Sequence, residues 1–201
     1  MAALAIASIL AAAALPTMSG RVKDQRSQSL AQQFALLYRE GRTRAIGRGT
    51  AHLVRFDTST NPAGIATMLE AIQPVGNAGN LGQCQNLPRV GVDGCAVTAW
   101  GAADSRLIST AMVQTKDDYT TLKSKFILNG TDTPSADICF SPGGRAYARP
   151  ALNGAFSAFT GINKVRTWRV SSPANLLARD VMILPNGSTR VETIVLTDPL
   201  L

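Results

Sequence analysis

Ser29 to Gly49 reads S-L-A-Q-Q-F-A-L-L-Y-R-E-G-R-T-R-A-I-G-R-G, and the spacing of its apolar side chains decides the fold. Val22, Leu30, Phe34, Leu37, Tyr38, Gly41 and Ala45 recur at threes and fours, which places them along one face of an α-helix with the remaining residues towards water. Gly47 or Gly49 supplies the C-terminal stop, and Arg44 and Arg48 suit the negative end of the helix dipole. The stretch predicts an amphipathic helix whose apolar face rests on a separate domain.

Upstream, Met1 to Gly20 contains no charged residue, and its first eighteen positions are almost all Ala, Leu, Ile and Met. As a helix this run would reach about 30 Å, the thickness of a bilayer core. It is therefore expected to be a membrane stem continuous with the amphipathic half, its apolar surface carried by Leu4, Ile6, Ile9, Leu10 and Leu15. Its many alanines also suit close packing against other helices. Pro16 is expected to bend the rod rather than end it. A cleaved signal peptide is the alternative, although the chain lacks the basic start such a peptide carries. A buried soluble helix is a further alternative, weakened by the want of any polar face.

The charge is concentrated just beyond this run. Between Arg21 and Arg55 stand eight basic residues against Asp24 and Glu40, so this stretch holds six of the chain's seven net positive charges. Arg21, Lys23 and Arg26 suit anionic lipid heads. Arg39, Arg42, Arg44 and Arg48 lie further out, where solvent, the carboxylates of a neighbouring subunit, or nucleic-acid phosphates could meet them. With 201 residues, 45% hydrophobic and 16% charged, the chain is neither disordered nor a polytopic membrane protein.

After Gly49 the period shortens to two. Ala51 to Asp57 reads as a first strand, with Val54 and Phe56 on its packed side. A short helix is expected over Ile65 to Ile72, within a stretch from 58 to 89 that is otherwise loop, and a strand over 90 to 98. Leu122 to Leu128 is a strand candidate before the turn Asn129-Gly130. Ile138 to Tyr147 forms a hairpin bent at Pro142-Gly143-Gly144. Lys164 to Val170 alternates again, and Asp180 to Leu184 with Thr189 to Leu196 flank a last hairpin at Pro185-Asn186-Gly187-Ser188. Six or seven strands without intervening helices predict an antiparallel sheet, hence an α+β fold of one long helix (1–20 stem, 21–48 amphipathic half) and a globular β-rich domain over 50–201.

The residues that carry chemistry are sparse. Cys84 and Cys95 bracket a loop short enough for a disulfide, Cys139 reads as a buried thiol, and all three reduced and inert is the plain alternative. His52 is the single histidine, so neither a zinc site nor a Cys-His or Ser-His pair has sequence support. No G-x-S-x-G elbow and no Walker lysine occur. Neither an enzyme, a cofactor nor a small-molecule substrate is indicated.

The opening M-A-A-L-A-I-A-S-I-L-A-A-A-A-L-P, followed by the Ser29 to Gly49 helix, resembles the start of a type IV pilin-like protein, nearest to the GspH/FimT group of pseudopilins and minor pilins. In that group a helix ending in R-x-x-A-I-x-R-G, here Arg42 to Gly49, leads straight into the first strand. I-C-F-S-P-G-G-R and V-M-I-L-P-N-G-S-T-R are similar to its glycine-centred hairpins. The N-terminal likeness covers about 55 residues, and the β-domain likeness is loose. The leader and the F-T-L-I-E segment of the group are missing, so Met1 is expected to be an internal methionine of a longer chain cut by prepilin peptidase.

The resemblance implies a pilin-like fold and a single-pass inner-membrane subunit with a periplasmic β-domain. Such a subunit is assembled with other pilin or pseudopilin subunits into a type IV pilus or a type II secretion pseudopilus. It implies no cofactor. Some FimT members bind DNA through a C-terminal basic loop, and the matching place here is Gly187 to Arg190, so Arg190 becomes the DNA-contact candidate. A secreted β-domain with a signal peptide is the remaining alternative.

Overall fold

The computed structural model describes residues 2–72, 95, 100–102, 104–113, 121–150, 154–170 and 176–196, with the side chains before Asp24 and that of Leu176 excepted. One helix, α1 (Ala2–Arg48), opens the chain. It runs through Pro16 without ending and stops where Gly49 takes a left-handed φ of 64°. Of the two glycines that the sequence offers as a stop, it is the second that ends the helix.

The strands are β1 (His52–Asp57), β2 (Ile65–Ala71), β3 (Ser105–Met112), β4 (Leu122–Leu128), β5 (Thr131–Thr133), β6 (Ser135–Phe140), β7 (Ala146–Arg149), β8 (Ser157–Ala158), β9 (Asn163–Arg169), β10 (Leu176–Ile183) and β11 (Thr189–Leu196). They form two sheets in which every pairing is antiparallel, ordered β3-β2-β1-β6-β7-β8 and β11-β10-β9-β4-β5. Among the described strands the chain changes sheet three times, from β3 to β4, from β5 to β6 at Pro134, and from β8 to β9. The architecture is thus α+β, one N-terminal helix packed against two antiparallel sheets.

Helix and sheets share one core. Leu30, Phe34, Leu37, Tyr38 and Ala45 are buried against Val54 and Phe56 of β1, Phe126 of β4, Val165 of β9 and Val181 and Ile183 of β10. The Phe34 ring meets Phe56 edge to face, with centroids 5.7 Å apart. Successive β1 side chains leave the strand on opposite sides. Val54 and Phe56 therefore meet the helix, while Leu53 enters a second cluster with Cys95, Trp100 and Cys139. Two turns close on the end of α1. Gly144 and Gly187 both hold positive φ, and a methyl at Gly187 would lie 2.8 Å from Arg42 Cδ, one at Gly144 3.0 Å from Ile46 Cδ1.

Three expectations are corrected. Ile65 to Ile72 is not a helix: Ala66, Met68 and Glu70 are buried on alternate positions of β2, which pairs with both β1 and β3. Cys95 is bonded to Cys139 rather than to Cys84, because the register of β6 on β1 carries Cys139 beside Leu53 on the face where Cys95 is buried. Cys84 itself lies outside the described residues, as does nearly all of the strand expected over 90 to 98. The single-pass inner-membrane assignment is overturned as well: among the described residues, no helix is long and apolar enough to cross a membrane. From Asp24 onward the helix interleaves its packed face with Arg, Gln and Glu, and that face is taken up by the domain core. Leu4, Ile6, Ile9, Leu10, Leu15 and Pro16 lie on the helical backbone of α1, and their side chains are outside the described residues.

Candidate functional site: the arginines of the helix

The sequence marks Arg39, Arg42, Arg44, Arg48 and Arg190 for contact with a partner, and the fold gives them different tasks. Arg39 reaches the start of β11, where Nε donates to Thr189 Oγ1 at 2.9 Å and Nη2 to the Thr189 carbonyl at 3.0 Å. Thr189 Oγ1 in turn donates to the Ala35 carbonyl at 3.4 Å, so helix and strand are cross-tied. Arg42 lies against the Gly187 turn. Its Nε is buried without a hydrogen-bond partner. Arg44 pairs one turn back with Glu40 at 2.7 Å.

Arg48, the last helical residue, binds both oxygens of Glu70 at 2.9 and 3.0 Å. Arg190 is exposed and pairs with Glu192 at 2.8 Å. Of the five, Arg39 and Arg190 are brought to one place. With Gln32, Ala35, Leu36 and Val191 they line a groove of about 510 Å³ between α1 and β11. Leu36 stands 60% exposed on its rim. Such a groove presents a mixed apolar and cationic surface. Carboxylates of the same chain already pair Arg44, Arg48 and Arg190, which lowers the uncompensated charge that a phosphate backbone would need.

Sequence reasoning missed three buried carboxylates. Glu70 on β2 faces His52 of β1 and Arg106 of β3 in the strand registers, and it is held by Arg48 and Arg106. Asp137 on β6 faces Arg55 and Arg149, which bind it at 2.6 to 3.0 Å. Asp180 on β10 faces Arg166 and also takes Lys164. Burial pushes the Glu70 and Asp180 carboxyls up, but hydrogen bonds from Arg106 and Arg48 in one case, and from Arg166 and Lys164 in the other, hold both below the usual range. Burial drives His52 down, against a weaker upward pull from the Thr50 carbonyl, and drives the Tyr38 phenol well above its ordinary value. The sequence offered no signal for these clusters, since each acid is single in its strand and its partners are distant in the chain.

Among the described residues, no group of three or more His, Cys, Asp or Glu side chains is placed to hold a metal ion. No protein-family model, curated protein or solved structure matches the chain.

Proposed function

We propose that this chain is a structural subunit of a helix-stemmed filament of the type IV pilin kind, a minor pilin or pseudopilin that assembles with other subunits carrying similar helices. One observation carries the reading: a single 47-residue helix, about 70 Å long, is built into the twin-sheet domain through residues between Ser27 and Ala45. A further twenty-five helical residues, about 37 Å, precede Ser27. They are uncharged to Gly20 and rich in alanine, which suits close packing among parallel helices. The groove beside β11, with Leu36, Val191 and Arg39, offers the globular part a second contact with its neighbour. The chemistry of this reading is packing alone; it needs no cofactor and no substrate.

The test is a photo-crosslinking amino acid at Ile9, introduced into the chain in cells of its source. The expected products are covalent pairs with subunits that themselves begin with an uncharged helix followed by an arginine-bearing one. Whether those are pilins or pseudopilins names the machine. Crosslinks that run only from Ile9 back to the chain's own sheets, or a chain that stays an uncrosslinked monomer, would overturn the reading.

A further inference from the structure

His52 is the single histidine of the chain and is wholly buried on β1. Its Nδ1 lies 3.2 Å from the Thr50 carbonyl, which can only accept, so the neutral ring carries its proton on Nδ1. Nε2 is thereby left as a lone pair, and it is buried without a hydrogen-bond partner. Across the strand pair, Glu70 Oε1 lies 3.7 Å from it. Two lone pairs meeting at this distance repel; one added proton makes the contact attractive, and a closing of somewhat under about 1 Å turns it into a charge-assisted hydrogen bond.

The surroundings decide what that proton would do. α1 contributes Arg44 and Arg48, β2 Glu70 and β3 Arg106, while the β6 neighbour of His52 is Phe140, which does not titrate. Arg106 grips Oε2 with two nitrogens at 2.7 and 2.6 Å. Arg48 spans both oxygens with Nη1 alone, and Oε1 also accepts from Thr50 Oγ1 at 3.3 Å. Three cations around one buried carboxylate would leave two positive charges uncompensated. Both arginines reach water, Arg48 at 46% and Arg106 at 40% exposure, and Arg48 is the one to go because its contacts, 2.9 and 3.0 Å from a single nitrogen, are longer than the 2.7 and 2.6 Å of Arg106.

We propose that His52 is a proton-driven latch for the end of α1: on gaining a proton at Nε2 it takes Glu70 Oε1, and Arg48 releases the carboxylate. The proton comes from solvent, Glu70 stays ionised throughout, and no covalent bond changes. Arg48 is the last residue of α1, so its release frees the final turn up to Gly49 from β2. The helix is then held to the sheets by its core face, the Arg39 to Thr189 bonds and the Arg179 to Asp24 pair. Burial, the largest influence on His52, sets the latch to act on the acid side of the ordinary histidine value of 6.5.

The full chain, isotopically labelled, tests this by magnetic resonance from about pH 7.5 to about pH 4.5, a range that spans the ordinary histidine value. The His52 ring, the Arg48 Nε and the backbone amides of 46 to 49 should change together, with one midpoint below 6.5. In Arg48→Gln the His52 midpoint should rise by about one pH unit, because the competing cation is gone. A ring that titrates while Arg48 and its neighbours stay still would overturn the proposal, as would a His52 that remains neutral until the chain unfolds. An Arg48→Gln midpoint equal to that of the unaltered chain would overturn it too. Should Arg48→Gln fail to fold, the shared midpoint in the unaltered chain decides the matter alone.

Discussion

Asp137 is wholly buried between two guanidinium groups, one of which, Arg149, is itself shut away from water and laid over the Phe156 ring. Its substitution by Asn would strand Arg149 as an unpaired buried charge, and breaking a buried pair in this way costs about 3–5 kcal/mol. Asp132, more than half exposed beside Lys125, makes an equally short contact whose loss should cost less than about 1 kcal/mol. Urea denaturation of Asp137→Asn against Asp132→Asn checks the contrast; comparable losses would show that burial is not what gives the Asp137 cluster its weight. Titration follows the same logic with its sign fixed by direction. The folded chain keeps His52 neutral while the unfolded chain takes up a proton below 6.5, so this part of the stability is lost as pH falls from 6.5 towards the folded value. Glu70 and Asp180 act lower down: what they supply is whole above their ordinary values of 4.5 and 3.8 and disappears as pH falls through their depressed folded ones. The denaturation midpoint of the unaltered chain should therefore fall in two stages on acidification, and His52→Gln should remove the first stage and keep the second. Of these groups only His52 stands out in the sequence, as the single histidine; the three acids do not. Arg55 and Asp137 are 82 residues apart, and only strand register makes them neighbours.

The helix shows which elements a sequence can declare. Phe34 and Leu36 stand two positions apart on α1, one fully buried and the other 60% exposed, as the 3.6-residue period requires. Phe34→Ala should cost about 3–5 kcal/mol by emptying the space against Phe56, whereas Leu36→Ala should stay within about 0.5 kcal/mol. Thermal melts of the two variants measure the difference, and equal shifts would mean that the helix face is misplaced. The period of α1, the Gly49 stop, β1, β4, and the hairpins at Gly144 and Gly187 were all legible, because each depends on local spacing or on a turn residue with positive φ. β2 was not. I-A-T-M-L-E-A has helix-forming residues, and its strand state comes from sitting between β1 and β3, with Glu70 satisfied by cations that lie elsewhere in the chain. β3, β5 and β8 escaped for related reasons: β5 and β8 are three and two residues long, and β3 carries its apolar residues on both faces, Leu107 being 62% exposed. The division of the strands into two sheets is likewise a matter of long-range pairing, which alternation within one strand does not encode.

At the scale of the whole molecule, the two clusters flanking β1 hold different parts of the chain. The large one joins helix to both sheets, while the small one, built on Ala51, Leu53, Ala71, Trp100 and the Cys95–Cys139 bond, ties residue 95 to the middle of the first sheet. The run of arginines late in α1 is plain in the sequence, but what each arginine meets depends on this assembly: Arg39 finds β11 and Arg48 finds β2 only once both sheets are in place. The disulfide partner escapes the sequence for the same reason: Cys84 is the nearer cysteine along the chain, but strand register sets Cys139 on the face where Cys95 is buried. A bond closing a 44-residue separation restricts the unfolded chain, and the loop-entropy relation puts its worth at about 4 kcal/mol. Both sulfurs are buried, so the bond should resist mild reductant in the folded state and yield only as the chain opens. Replacing both cysteines with alanine should accordingly lower the free energy of unfolding by about 4 kcal/mol, with a further loss from the vacated contacts to Leu53 and Trp100. The effect should fall on the first sheet: hydrogen exchange at β1, β2 and β6 should quicken more than at β9 and β10, which are braced by Asp180, Arg166 and the helix. Uniform quickening of both sheets would instead mean that the twin-sheet domain opens as one unit. The disulfide would then be a clamp on the entire fold and not on one of its layers.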